Sequence, residues 1–217
     1  MDALFIAELN ERLFTHFTRG AWHAPYSQRL LPVGLDPDQP LGRIACADAR
    51  DLERAFAHLC RAGAAPAPEA LASEALAVAL HAQAQAITLL RAREGFADAP
   101  GPLDPVVLPS AGPMVLLSAA SMPVAGLTPL LIAGAQHGML WKPAPGAAAS
   151  AHLIMRLLGP LAGGRLAMVQ GDHETGAALA RMGPLVWASA APLPPGLPAP
   201  VWTPASGACQ AERSAAP

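Results

Sequence analysis

The chain has 217 residues and a formal net charge of −2, with 53% hydrophobic and 14% charged residues. That apolar content supports a sizeable core and excludes wholesale disorder. A weakly negative charge with scattered Lys and Arg excludes a general attraction to nucleic acid or acidic lipid. Cys46, Cys60 and Cys209 form no CxxC pair and have no His at ligand spacing. This excludes a structural zinc site or a disulfide framework and fits a reducing cytoplasm.

The opening MDALFIAELNERLF carries Asp2, Glu8 and Glu11 but no basic leader region, and is expected as a short amphipathic helix, not a secretory signal. Residues 17–45 alternate short apolar runs with Gly20, Pro25, Pro37 and Pro40, the punctuation of strands and turns. Asp48 is a plausible N-cap, and Leu52, Ala55, Phe56 and Leu59 follow at helical spacing. A longer helical pattern runs from Glu69 to Arg93, with Leu76, Leu80, Ile87 and Leu90 as its apolar stripe and Arg91 off it.

Pro105 to Trp141 contains no Asp, Glu, Lys or Arg, as a membrane span would. Pro113, Pro123, Pro129 and four glycines interrupt it, and no basic flank precedes it, so a buried strand–helix–strand unit is expected instead. Val115–Ser118, Met139–Trp141 and Leu166–Val169 read as buried strands. Helices near Val124–Gln136, Ala147–Leu158 and Thr175–Arg181 follow them in turn. This alternation is the βαβ rhythm of a parallel sheet. From residue 190 onward proline is too frequent for helix or sheet.

The expected fold class is therefore α/β: a partial Rossmann-like parallel sheet with flanking helices, preceded by an N-terminal hairpin and helices. The expected organisation is a hairpin and helical region at 1–100, a partial dinucleotide-binding-like unit at 101–190, and a Pro-rich disordered tail at 191–217.

Four segments in order carry a family resemblance. GAWHAPYSQRLLPVGLDPDQPLGRIACADARDLERAFAHL resembles the opening of aldehyde dehydrogenases, where a GEW hairpin precedes P-x-x-G and a D-x-x-x-A helix. WKPAP at Trp141–Pro145 resembles their KPA strand end, VQGDHETGAALA at Val169–Ala180 their G-D-G-x-x-G-x-x-L turn, and VWAS at Val186–Ser189 their FTGS. The resemblance implies an NAD or NADP cofactor, with Lys142 on the adenosine ribose and Pro143, Gly171 and Ser189 beside it. Cofactors sit beyond the carboxyl ends of strands in such sheets. Gly171 would let backbone approach, and the following helix start would offer its positive end.

The departures bear on activity. The family's P-W-N-F-P loop, whose asparagine stabilises the oxyanion, is AASMP here, with Ser121 in the asparagine's place. Losing such a donor costs about 10²–10³ in rate. Pro145 stands where an acidic residue often grips the ribose, His173 replaces the second glycine of G-D-G, and Trp187 brings bulk into the FTGS position. The glutamate base and cysteine nucleophile of the family's catalytic half have no clear counterpart, so no catalytic residue is assigned. SGACQAER at Ser206–Arg213 faintly echoes the nucleophile motif, with Cys209 as its thiol, in a Pro-rich setting that supplies no base. Asp172, His173 and Glu174 read as a solvated turn, not a metal site.

The expectation is an aldehyde-dehydrogenase-like protein, non-catalytic as this chain. It retains weak NAD(P) binding or works through a homo- or hetero-oligomer formed at exposed sheet edges. The alternatives are an active NAD(P)-dependent aldehyde oxidoreductase using Cys209 or a partner-supplied nucleophile, and a remnant without function.

Overall fold

A computed structural model describes residues 12–34, 40–62, 74–109 and 112–204. Cys209, the start of the opening helix and the Glu69–Ser73 start of the long helix lie outside the described residues.

The informative stretch forms four parallel strands. Their apolar runs fill β6 (Met114–Ser118), β7 (Met139–Pro143), β8 (Leu166–Met168) and β9 (Leu185–Ala188). Every residue of β6, β7 and β8 is buried, as continuous apolar runs covered on both faces require. The hairpin β2 (His16–Thr18) and β3 (Ala21–His23) joins antiparallel at the β8 edge, giving the sheet order β3-β2-β8-β7-β6-β9. The turn between them carries Arg19 at φ 58° and Gly20 at φ 76°.

A second sheet has the order β1-β5-β4: β1 (Leu13–Phe14), β5 (Gly42–Ala45) and β4 (Leu30–Val33). Pro32 is tolerated in β4 because that strand lies at an edge. Leu13 and Phe14, expected at the end of an amphipathic helix, pair in parallel with Arg43 and Ile44 instead. Phe14 is fully buried there, and burying that ring in a tertiary core outweighs a weak local helical pattern.

Helices cover both faces of the larger sheet. On one side α1 (Ala49–Ala62) places Leu52, Ala55 and Leu59 against Val115, Leu140 and Ala167. The short α6 (His173–Leu179) joins it there through Leu179. On the other side α4 (Val124–Ala135) and α5 (Ala148–Leu158) pack on Leu116, Trp141 and Met168. The helical hairpin α2 (Glu74–Ala82) and α3 (Ala84–Arg93) lies against α5. Its sequence pattern predicts one helix; the chain instead breaks at Gln83, whose amide is shared between the Ala79 and Leu80 carbonyls at 3.2 Å each. No helix among the described residues is long and apolar enough to cross a membrane.

Two further differences from the sequence reading shape the site. α6 starts at His173, two residues early, because the Asp172 carboxylate accepts the Thr175 amide at 3.0 Å and caps it. LVWA forms β9, and the expected disordered tail is ordered as far as residue 204. Val201 N–H donates to Leu185 O (2.8 Å) and Trp187 N–H to Trp202 O (3.0 Å). Trp202 is 6% exposed within the core. Proline disfavours regular elements, but one buried indole and two backbone bonds fix an extended segment without either.

Candidate functional site

The chain runs from β6 through α4 to β7 and through α5 to β8, always in one direction across the sheet. From β8 it returns through α6 to β9 on the far side of β6. The connections therefore part at the carboxyl ends of β6 and β9, which is where ligands settle in open α/β sheets. A cavity of about 500 Å³ lies at that point, within the roughly 300–1,000 Å³ typical of small-molecule sites. Its floor is the end of β6 (Leu117, Ser118, Ala119), one wall is α6, and the other is Trp187 with the segment Ala191–Leu197.

Lys142 enters from β7. Strand alternation puts it on the same face as Leu140, towards α6. α6 lies against the lysine stem at Gly176, where a Cβ would meet Lys142 Cδ and Cε at 3.5 and 3.6 Å, in ordinary contact. Lys142 is 7% exposed, and its ammonium donates to Pro143 O at 3.2 Å. An ammonium carries three donors, so two remain beyond that bond, and Lys142 lines the cavity. Burial lowers its pKa to about 8, with the Asp172 carboxylate acting the other way, so it is mostly protonated at neutral pH.

The other sequence-predicted residues divide. Ser189 lines the cavity, and its Oγ accepts the Ala191 amide at 3.0 Å. Pro143 closes β7 opposite Ser118 and is not one of the cavity's lining residues. Gly171 is buried outside the cavity wall, against α6: a Cβ there would lie 2.5 Å from Thr175 Cβ. Its hydrogen permits the tight strand-to-helix return that brings Gly176 onto Lys142.

Asp172 caps α6 and pairs with Arg29, which also reaches Glu174 at 3.2 Å. Partial burial opposes ionisation of Asp172, yet the Thr175 amide and the Arg29 guanidinium outweigh it and hold its pKa below the usual range. The described residues contain no group of three or more His, Cys, Asp or Glu able to hold a metal.

Sequence reasoning gave no site role to four contributors. His173 and Arg181 stand on the cavity side of α6 with Gly176 and Ala177, a helical spacing visible in the sequence. The Ala191–Leu197 wall had no sequence signal beyond its prolines. Arg91, expected off the apolar stripe of its helix, is 2% exposed. It pairs with Asp98 (2.7 Å) and Glu94 (3.3 Å) and donates to Ala120 O (2.8 Å). Asp98 in turn accepts the Val124 amide at 3.1 Å. This network holds the AASMP loop, whose Ser121 side chain is exposed. Burial pushes the Glu94 pKa up, against the Ser150 hydrogen bonds and the nearby Arg91 charge.

A second cavity of about 230 Å³ opens over His16 and Asp51. Both are structural pins. Gln170 N–H donates to His16 Nδ1 at 3.1 Å, and Asp51 accepts the Tyr26 and Asp48 amides. Burial lowers the His16 pKa to about 4 and keeps it neutral.

The architecture defines an α/β protein of the dinucleotide-fold class. More narrowly, over 81–86% of its length it has the fold of solved aldehyde dehydrogenases. HpcC from Thermus thermophilus is 20% identical, with a TM-score of 0.65 over 86% of this chain and 45% of its own. An aldehyde dehydrogenase from Bartonella henselae is 17% identical, with a TM-score of 0.64 over 83% and 47%. An NAD-dependent aldehyde dehydrogenase from Sinorhizobium meliloti is 13% identical, with a TM-score of 0.66 over 86% and 47%. The chain thus spans about half the length of the solved structures it matches. No family model and no curated protein sequence matches it.

Proposed function

We propose that the chain binds a nicotinamide adenine dinucleotide in the cavity at the β6–β9 switch point and does not itself oxidise aldehydes. The observation that carries this reading is Lys142: a buried lysine at a strand carboxyl end that lines a ligand-sized cavity and spends one donor on the protein. The fold of the neighbours supports it, the Sinorhizobium meliloti enzyme among them being NAD-dependent.

When bound, the dinucleotide supplies a hydride acceptor. The chain's residues supply binding and orientation. Lys142 donates to hydroxyl or phosphate oxygens, and the wall of Trp187, Pro192 and Leu197 offers apolar surface to a planar ring. Gly171 contributes by letting the chain turn tightly into α6, which lies on the lysine.

Neither thiol among the described residues is placed to attack a ligand in the cavity. Cys46 is buried just past β5 and Cys60 is exposed on α1, and neither lines the cavity. The AASMP loop, held by Arg91, presents a serine hydroxyl with less reach than a carboxamide.

Calorimetric titration of NAD⁺ and NADP⁺ into the wild type and Lys142→Ala tests the binding. We expect saturable binding that weakens about tenfold or more in the variant, the effect of one charge-assisted hydrogen bond. No binding by the wild type, or an unchanged affinity in the variant, sinks the assignment. Aldehyde-dependent formation of reduced cofactor, lost in Cys209→Ala, would instead establish an active enzyme.

A further inference from the structure

The charges around the cavity are one-sided. His173, Gly176, Ala177 and Arg181 stand at i, i+3, i+4 and i+8 on α6 and its C-terminal extension, so they share the face turned to the cavity. Lys142 lies along the middle of that face. Arg181 stands at the mouth, where its guanidinium donates to Ala177 O at 2.8 Å and to Gly196 O of the opposite wall at 3.5 Å. Among the described residues no Asp or Glu lines the cavity. The acidic residues nearest in sequence, Asp172 and Glu174, both pair with Arg29, and Asp172 also caps the helix.

This arrangement decides between two forms of the dinucleotide. A free ribose 2′-hydroxyl is gripped by a carboxylate that accepts its proton, whereas a 2′-phosphate needs basic side chains and is repelled by that same carboxylate. The cavity offers Lys142, Arg181 and His173 for the second task and no described carboxylate for the first. We infer that the cavity favours the 2′-phosphorylated dinucleotide, NADP, over NAD, with Arg181 and Lys142 as the groups that hold the additional phosphate. The inference rests on the dinucleotide reading above and specifies its ligand.

Calorimetry on the full chain at fixed ionic strength, with NADP⁺, NAD⁺, adenosine 2′,5′-bisphosphate and 5′-AMP as probes, is the test. NADP⁺ is expected to bind about tenfold more tightly than NAD⁺, or better, and the bisphosphate to exceed 5′-AMP by a similar factor. Added salt should reduce the NADP⁺ affinity more than the NAD⁺ affinity. Arg181→Ala, at an exposed position that should leave folding intact, is expected to bring the ratio towards one, with an unchanged circular dichroism spectrum as control. Pro145→Glu puts a carboxylate into the wall at the first position of a helical turn, where acids are tolerated. It is expected to shift the preference towards NAD⁺. Equal or tighter binding of NAD⁺ by the wild type overturns the inference and leaves the dinucleotide site standing. Failure of all four probes overturns both. An unchanged ratio in the double variant Arg181→Ala/His173→Ala overturns the assignment of these side chains.

Discussion

Burial lowers the Lys142 pKa to about 8, and this has opposite consequences for stability and for binding. Between pH 8 and its ordinary value of 10.5 the unfolded chain holds a proton that the folded chain has released, so folding stability rises with pH across that window. Below pH 8 both states are protonated and the full cost of burying the charge is present. Lys142→Met keeps the stem against Gly176 and removes that cost. Each pKa unit corresponds to about 1.4 kcal/mol, so a gain of about 1–3 kcal/mol is expected. In a chain of this size that raises the melting temperature by roughly 2–12 °C. The same variant should lose nucleotide affinity, the trade-off common at functional sites. In the wild type, affinity should fall as pH rises through about 8, because the ligand needs the charged form. Thermal melts of Lys142→Met, and titrations at roughly pH 7 and pH 9.5, read both effects. A destabilised Lys142→Met with pH-independent binding would show that the ammonium does neither job.

At the scale of elements, β9 and the extended segment after it decide the shape of the cavity. The segment's stability comes from Trp202, which inserts into the core between the Val201 and Trp187 backbone bonds. Truncating a buried aromatic costs about 3–5 kcal/mol where the surroundings stay rigid. Trp202→Ala should lose part of that by releasing the segment, since few other groups hold it. The nearby constraints are the Trp187 indole bonded to Ala191 O at 2.9 Å and Leu193 and Leu197 resting on the core. Released, the segment takes one wall of the cavity with it. Thermolysin should then cut on the amino side of Val201, a bond that the folded wild type protects, and dinucleotide affinity should drop with it. Resistance equal to that of the wild type would mean that the prolines alone hold the wall. This element was only partly legible in the sequence. Proline content argued against helix or sheet after residue 190, and nothing in the sequence signals that Trp202 returns to bond Trp187.

At the scale of the whole molecule, local pattern revealed the parallel strands and their crossovers, because continuous apolar runs bounded by Gly and Pro have few other readings. Local pattern marked Lys142 only as the polar residue that ends such a run; its place in a site came from the likeness of WKPAP to a family strand end. Gly171 was legible as a constrained position, while its contact with Thr175 depends on a helix cap that only the Asp172 geometry reveals. Residues joined across long separations were not legible. Arg91 meets the loop at Ala120 only after the chain has folded, and the N-terminal hairpin joins the far edge of the sheet through Phe17 opposite Met168. That last pairing bears on how the chain unfolds. A division into a 1–100 region and a 101–190 unit suggests two independent transitions. In the fold, α1 covers one face of the sheet while Phe17 packs within the opposite core. Removing either exposes core shared by both parts, so one cooperative transition is expected over the described residues, with the calorimetric enthalpy equal to the van't Hoff enthalpy. Phe17→Ala discriminates sharply. The ring is 2% exposed, so its loss costs about 3–5 kcal/mol. At roughly 2–4 °C per kcal/mol the single transition moves down by roughly 6–20 °C. Two separate modules would answer differently, the variant lowering only one of two transitions and leaving the dinucleotide unit at its wild-type temperature.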